Sequence, residues 1–226
     1  SFLATATTAA AAVSTGCKNA PSTPLLHVYT WADYISPDIA ARFQQECGCT
    51  LVIDTFDSNE AMYAKLKGGA SGYDVLVPSS YMVKTLRREN MLQALDQAKL
   101  PNLSNVDPDY LKAALDPRME HSVPYMMAPT CLGWLSSKVT DPAPSYKMFE
   151  RAELKGRITL LDDMREVIGA ALKALGQPLN STDPAQLAAA ADLAIRWKAN
   201  IAKFENEQYK TGLASGEFLL VQGYAG

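Results

Sequence analysis

From residue 25 onward, short apolar runs alternate with stretches whose apolar residues recur at helical spacing. This alternation is the signature of α/β architecture built on mostly parallel sheets. LLHVYT, residues 25–30, predicts the first strand. Ser36 then stands where a helix cap belongs, with Pro37 at the first helical position and Asp38 favourable to the dipole; Ile39, Ala40 and Phe43 form the apolar stripe. TLVIDTF predicts a second strand, and Asn59 to Leu66 a second helix stopped by Gly68-Gly69. YDVLVP predicts a third strand closed by Pro78, followed by a short helix over VKTLRREN.

Between Asp96 and Ser122, prolines at 101, 108 and 117 among scattered Asn and Asp predict short helical turns. SVPYMMAPTCLGWLSS reads as an extended crossing from one lobe to another. Beyond it, GRITLLDD predicts a strand and MREVIGAALKALG an amphipathic helix ended by Gly176. A longer helix starts at Asp183-Pro184, and IAKFE and EFLLVQG are strands around a short helix at EQYKTGLA. The reading divides the chain into a leader (1–24), a first lobe (25–130) and a second lobe (131–226). Because the second lobe has few elements and stops just after a strand, it is expected to be incomplete, with a sheet edge left open.

With 226 residues, 48% hydrophobic and 20% charged, the chain is long enough for one large or two modest globular domains. Its formal charge of -3, without a run of one sign, gives no footprint for nucleic acid or anionic lipid and suits a cationic partner. The opening SFLATATTAAAAVSTGCKNAPSTP is small and uncharged up to Lys18, and its apolar part is too short to span a bilayer. It reads as the remainder of an export signal, SFL resembling the end of a twin-arginine signal, which places the protein outside the cytoplasm. Thr15-Gly16-Cys17 could be a lipidation site at Cys17, although Ser14 stands where that motif prefers Leu. Cys47, Cys49 and Cys131 lack metal-site spacing and are expected as buried thiols or one disulfide. Two histidines, His27 and His121, give a catalytic triad or metal centre little to build on, and no cofactor is expected.

In an open parallel sheet, ligands sit beyond the carboxyl ends of the strands. The first strand delivers Trp31, Asp33 and Tyr34 there; the third delivers Ser79, Ser80 and Tyr81; RITLL delivers Asp162, Asp163 and Glu166; the last delivers Gln222 and Tyr224. Rings and carboxylates recur at every exit, and basic groups are scarce. That set suits a cation with apolar parts, since ammonium groups are stabilised by carboxylates and by aromatic faces at ~0.5–2 kcal/mol each. An anionic ligand would call for Arg, Lys or glycine-rich amides instead.

Plainer roles compete. Asp163 and Glu166 also have the spacing of a capping box, the commoner use of that pattern. Trp31 and Tyr34 could fill core beside the first strand, and Tyr81 could merely precede a helix. Met62, Tyr63 and the apolar face of the last long helix are assigned to core.

The segments YTWADYISPDIAARFQQE, SNEAMYAKLKGGASGYDVLVPSSYMVKTLRREN and LLDDMREVIGAALKALG resemble the spermidine/putrescine-binding proteins of bacterial ABC importers, from about Leu25 to Gly226. The resemblance implies a two-lobed periplasmic binding protein fold (type II). It implies a monomer that binds a polyamine between its lobes and delivers it to a membrane permease. It assigns the ligand slot to Trp31, Asp33 and Tyr34, to Ser79 and Tyr81, and to Asp163 and Glu166. Tyr224 stands where the family places an aromatic, often Trp in Gly-Trp-x-Gly. Alternatives left open are a binder of another small solute, a polyamine sensor without transport, and a hydrolase using Asp163 and Glu166. The last is disfavoured because carboxylates on one helix turn do not flank a bond from two sides.

Overall fold

The structure, a computed structural model, describes residues 23–225. Cys17, the leader before residue 23 and Gly226 lie outside the described residues. The first unit is a three-stranded, all-parallel sheet in the order β2-β1-β3, from β1 (Leu25–Trp31), β2 (Thr50–Phe56) and β3 (Val75–Leu76). Its connections are α1 (Pro37–Cys47) and α2 (Asn59–Lys67), and α3 (Ser80–Arg88) follows β3. The second unit is a four-stranded sheet in the order β4-β7-β5-β6: β4 (Thr130–Trp134), β5 (Ile158–Leu160), β6 (Ile201–Phe204) and β7 (Leu220–Tyr224). Three of its strands run parallel, while β4 pairs antiparallel with β7. The last strand is thus interior, and among the described residues the edge strands are β4 and β6.

The helices beginning at Asn59, Met164 and Pro184 start on a side-chain cap where the sequence places them, whereas Ser36, expected to cap α1, makes no side-chain cap hydrogen bond. Ser58 accepts from Ala61 N at 3.1 Å, Asp183 from Ala185 N at 2.8 Å, and Asp163 from Arg165 N and Glu166 N at 2.8 and 3.1 Å. Each satisfies N–H groups that have no partner inside the helix. α5 (Met164–Ala174) buries Val167, Ala170, Ala171, Leu172 and Ala174, one stripe at helical spacing. α6 (Pro184–Lys198) sets Trp197 edge-on to Phe149, centroids 5.0 Å apart, in a core with Ile158, Leu160, Leu193 and Leu220. α7 (Tyr209–Ser215) brings Tyr209 against Leu161, Phe218 and Val221. The first unit's core is smaller: Tyr29, Phe56, Met62, Met82 and Leu86.

Several expectations need correction. α1 forms as predicted but none of its residues is buried; Ile39 and Phe43 are 44% and 40% exposed, because no described element covers their stripe. The third strand pairs over two residues only, although Asp74 N and Val77 N still donate to His27 O and Tyr29 O on the neighbouring strand. α3 begins at Ser80, three residues early, so Tyr81 lies within the helix. α4 (Pro108–Ala113) and single 3-10 turns fill the region of short helical pieces. Cys47, Cys49 and Cys131 are free thiols, and Cys47 and Cys131 are exposed rather than buried.

Candidate functional site

The carboxyl end of β1 starts the site. Trp31, paired with Phe56 on β2, rests its ring 4.6 Å from the Phe56 ring. Asp33 then takes a left-handed backbone (φ 61°), the kind of kink a short polar side chain tolerates, and Tyr34 returns to within 6.3 Å of the Trp31 ring. Tyr125, in the crossing segment, donates its hydroxyl to Tyr34 O at 2.8 Å and holds its ring 6.2 Å from that of Tyr34.

The second unit answers from β7. The Tyr224 ring stands 6.3 Å from the Trp31 ring at 60°, joining the ends of the two sheets. Tyr209 on α7 donates its hydroxyl to Tyr224 O at 3.2 Å. Its ring lies so close over the strand that a Cβ on Gly223 would come within 2.4 Å of it. Only glycine lets the ring lie there.

At the start of α5, the carboxylates are fixed by backbone. Asp163 is 8% exposed and caps the helix. Glu166 does not complete the capping box: it sits half-buried beside the Thr130 hydroxyl. Gln222, fully buried, accepts from Leu161 N and donates to Glu166 O, both at 3.2 Å, clamping the end of β5 and the first turn of α5 to β7.

α3 contributes Tyr81. Its hydroxyl donates to Glu60 at 3.2 Å, and the guanidinium of Arg165 lies 3.9 Å from the centre of its ring, so the first turn of α5 is stacked on the start of α3. Ser79 is held in place by buried Asn59, whose amide donates to Ser79 Oγ at 3.0 Å and whose carbonyl accepts from Ser79 N at 2.9 Å.

The electrostatics follow from this crowding. Burial, then Glu60 and Asp163, push the Tyr81 phenol up to about 12. Burial, then Asp163 and Glu166, raise Tyr224 further. Burial raises the Glu166 carboxyl, and Asp163 adds to this against the opposing effects of Thr130 and Arg165. Burial disfavours any charged form, so only the second contribution, the negative charge of Asp163 and Glu166, favours a positive group beside these rings.

Of the residues expected at the slot, Trp31, Tyr34, Tyr81, Asp163, Glu166 and Tyr224 form one linked set of rings and carboxylates drawn from both units. Ser79 borders it, engaged with Asn59. Asp33 points outward and pairs with Lys210 of α7 at 2.9 Å, its side chain 81% exposed. Ser80 and Asp162 are exposed, and Asp162 N donates to Asn206. Asn206 also donates to Asp57 O at 2.8 Å, a second tie between the units. Tyr125 and Tyr209 were not anticipated, the first because it lies in an aperiodic stretch, the second because one ring in a short helix carries no spacing signal.

The sequence pattern of the bacterial extracellular solute-binding proteins matches residues 38–226. The chain belongs to this family. The putrescine/cadaverine-binding protein of Pseudomonas aeruginosa is 37% identical over 95% of this chain and 63% of its own length. The spermidine/putrescine-binding periplasmic protein of Escherichia coli K12 is 36% identical over 92% of this chain and 60% of its own. The solved TpPotD lipoprotein of Treponema pallidum superposes with a TM-score of 0.82 at 37% identity, over 89% of this chain and 64% of that one. The chain therefore spans a little over 60% of the length of these relatives, and its fold is that of the two-lobed periplasmic binding proteins.

Proposed function

We propose that this protein binds a polyamine, putrescine or spermidine, between its two lobes outside the cytoplasm and presents it to the permease of an ABC importer. The names of the relatives favour this ligand class. The observation that carries the reading is the meeting of Trp31 and Tyr34 from one lobe with Tyr224, Asp163 and Glu166 from the other. Aromatic faces attract ammonium groups and pack against methylenes, while the half-buried Glu166 carboxylate supplies a charge-assisted acceptor. The lobes divide near residue 130, where β4 begins. Contacts made to both at once shift an open population toward a closed one, which is the form a membrane partner would read. Lipidation of Cys17 would tether the protein to the membrane surface. An acid–base hydrolase is a poor fit, because one oxygen of Asp163 is engaged with the N–H groups of its own helix and Glu166 rises from the same turn.

Calorimetric titration with putrescine, spermidine and a neutral amino acid tests the reading. Heat is expected from at least one polyamine and none from the amino acid, with the signal lost in Trp31→Ala. Silence toward both polyamines would overturn it.

A further inference from the structure

An ion pair between the lobes is formed by two residues that adjoin members of the ring cluster in the chain. Asp33 lies between Trp31 and Tyr34 in the chain, and Lys210 follows Tyr209, whose hydroxyl anchors Tyr224. The left-handed backbone at Asp33 swings its carboxylate outward to meet the Lys210 ammonium at 2.9 Å. Both side chains are solvated, 81% and 55% exposed. Glu207 and the Tyr209 phenol are the other groups whose charge acts on Lys210.

The charges are therefore uneven along the cluster. Asp163 and Glu166 face the rings from the α5 end. At the β1 end the carboxylate already has a cation of its own. A ligand ammonium arriving there meets a neutralised acid and a like charge beside it. A short diamine can satisfy itself at the α5 end and on the rings, whereas a triamine carries one more ammonium on a longer chain and reaches further toward Lys210.

We infer that Lys210 is a specificity-determining residue, a resident ammonium that withholds Asp33 from the ligand and disfavours triamines relative to diamines. The inference rests on the polyamine reading of the cleft.

Its test is calorimetric titration of putrescine and spermidine against the unaltered protein, Lys210→Gln, Lys210→Arg and the double variant Lys210→Gln/Asp33→Asn. Lys210→Gln is expected to shift the affinity ratio toward spermidine by about two- to five-fold, the scale of an exposed ion pair. The shift shrinks as salt rises. Lys210→Arg keeps the original ratio, and the double variant loses the gain. An unmoved ratio in Lys210→Gln overturns the inference, as does a gain that survives the double variant. An equal loss for both ligands does so too, since it would make Lys210 only a clasp between the lobes. Binding with an unmoved ratio leaves the polyamine reading standing, whereas no heat from either ligand in the unaltered protein removes both.

Discussion

Gly223→Ala places a methyl group where the Tyr209 ring lies, at 2.4 Å from Cε2 and 2.6 Å from Cδ2, well inside contact distance. The ring cannot simply swing aside, because Tyr209 is 7% exposed and packed among Leu161, Phe218 and Val221. Overpacking of this kind costs about 1–3 kcal/mol. In a chain of this size each kcal/mol moves the thermal midpoint by about 2–4 °C, so a fall of roughly 2–12 °C is expected. Displacing Tyr209 also breaks its hydrogen bond to Tyr224 O and loosens the ring facing Trp31, so ligand affinity falls with stability. The decisive assay is a double-mutant cycle by thermal unfolding, comparing Gly223→Ala in the native background with Gly223→Ala in Tyr209→Ala. If the clash is the cause, the second step has almost no effect, a non-additivity equal to the overpacking term. The same loss in both backgrounds would refute the steric account.

Two further outcomes follow from the start of α5. Asp163→Asn keeps a good cap and removes the charge, so it weakens ligand binding with little change in the thermal midpoint, whereas Asp163→Ala also loses about 1 kcal/mol of helix capping; equal midpoints for the two would show the cap to be unimportant. Because burial, aided by Asp163, raises the Glu166 carboxyl, and only its ionised form attracts an ammonium, affinity should decline as pH falls while still above the ordinary glutamate range near ~4.3. In Glu166→Gln, binding should be weaker by about 1.5–3 kcal/mol, and that part of the pH dependence should vanish from a calorimetric series; a profile unchanged by the substitution would assign the titration elsewhere.

The strands and helices were largely legible because apolar periodicity and cap residues act locally. Ser58, Asp163 and Asp183 each stop at a helix start for reasons contained within a few residues. Where the outcome depended on distant chain, the sequence was mute. The stripe of Ile39 and Phe43 is a sound amphipathic pattern with nothing described to cover it. β3 is short because only Val75 and Leu76 align fully with β1, and the flanking Tyr73 ring stacks on Tyr29 at 4.5 Å instead of extending the ladder. The strand-end rule located Trp31, Tyr81, Glu166 and Tyr224, since topology alone fixes where strands end. It could not tell that Gln222 turns inward as a brace, nor that Asp33 finds Lys210, because both depend on which side of a strand or turn meets the other lobe.

The central place of β7 sets the order in which the second lobe can be made. Among the described residues β4 has no strand neighbour except β7, so here residues 130–134 wait for residues 220–224 before their backbone groups pair. On a ribosome, β5 and β6 can pair once residue 204 has emerged but β4 stays unpaired until nearly all of the described chain has, while β1, β2 and β3 can join within the first eighty residues or so. A polypeptide built this way can complete its first sheet well before it completes its second.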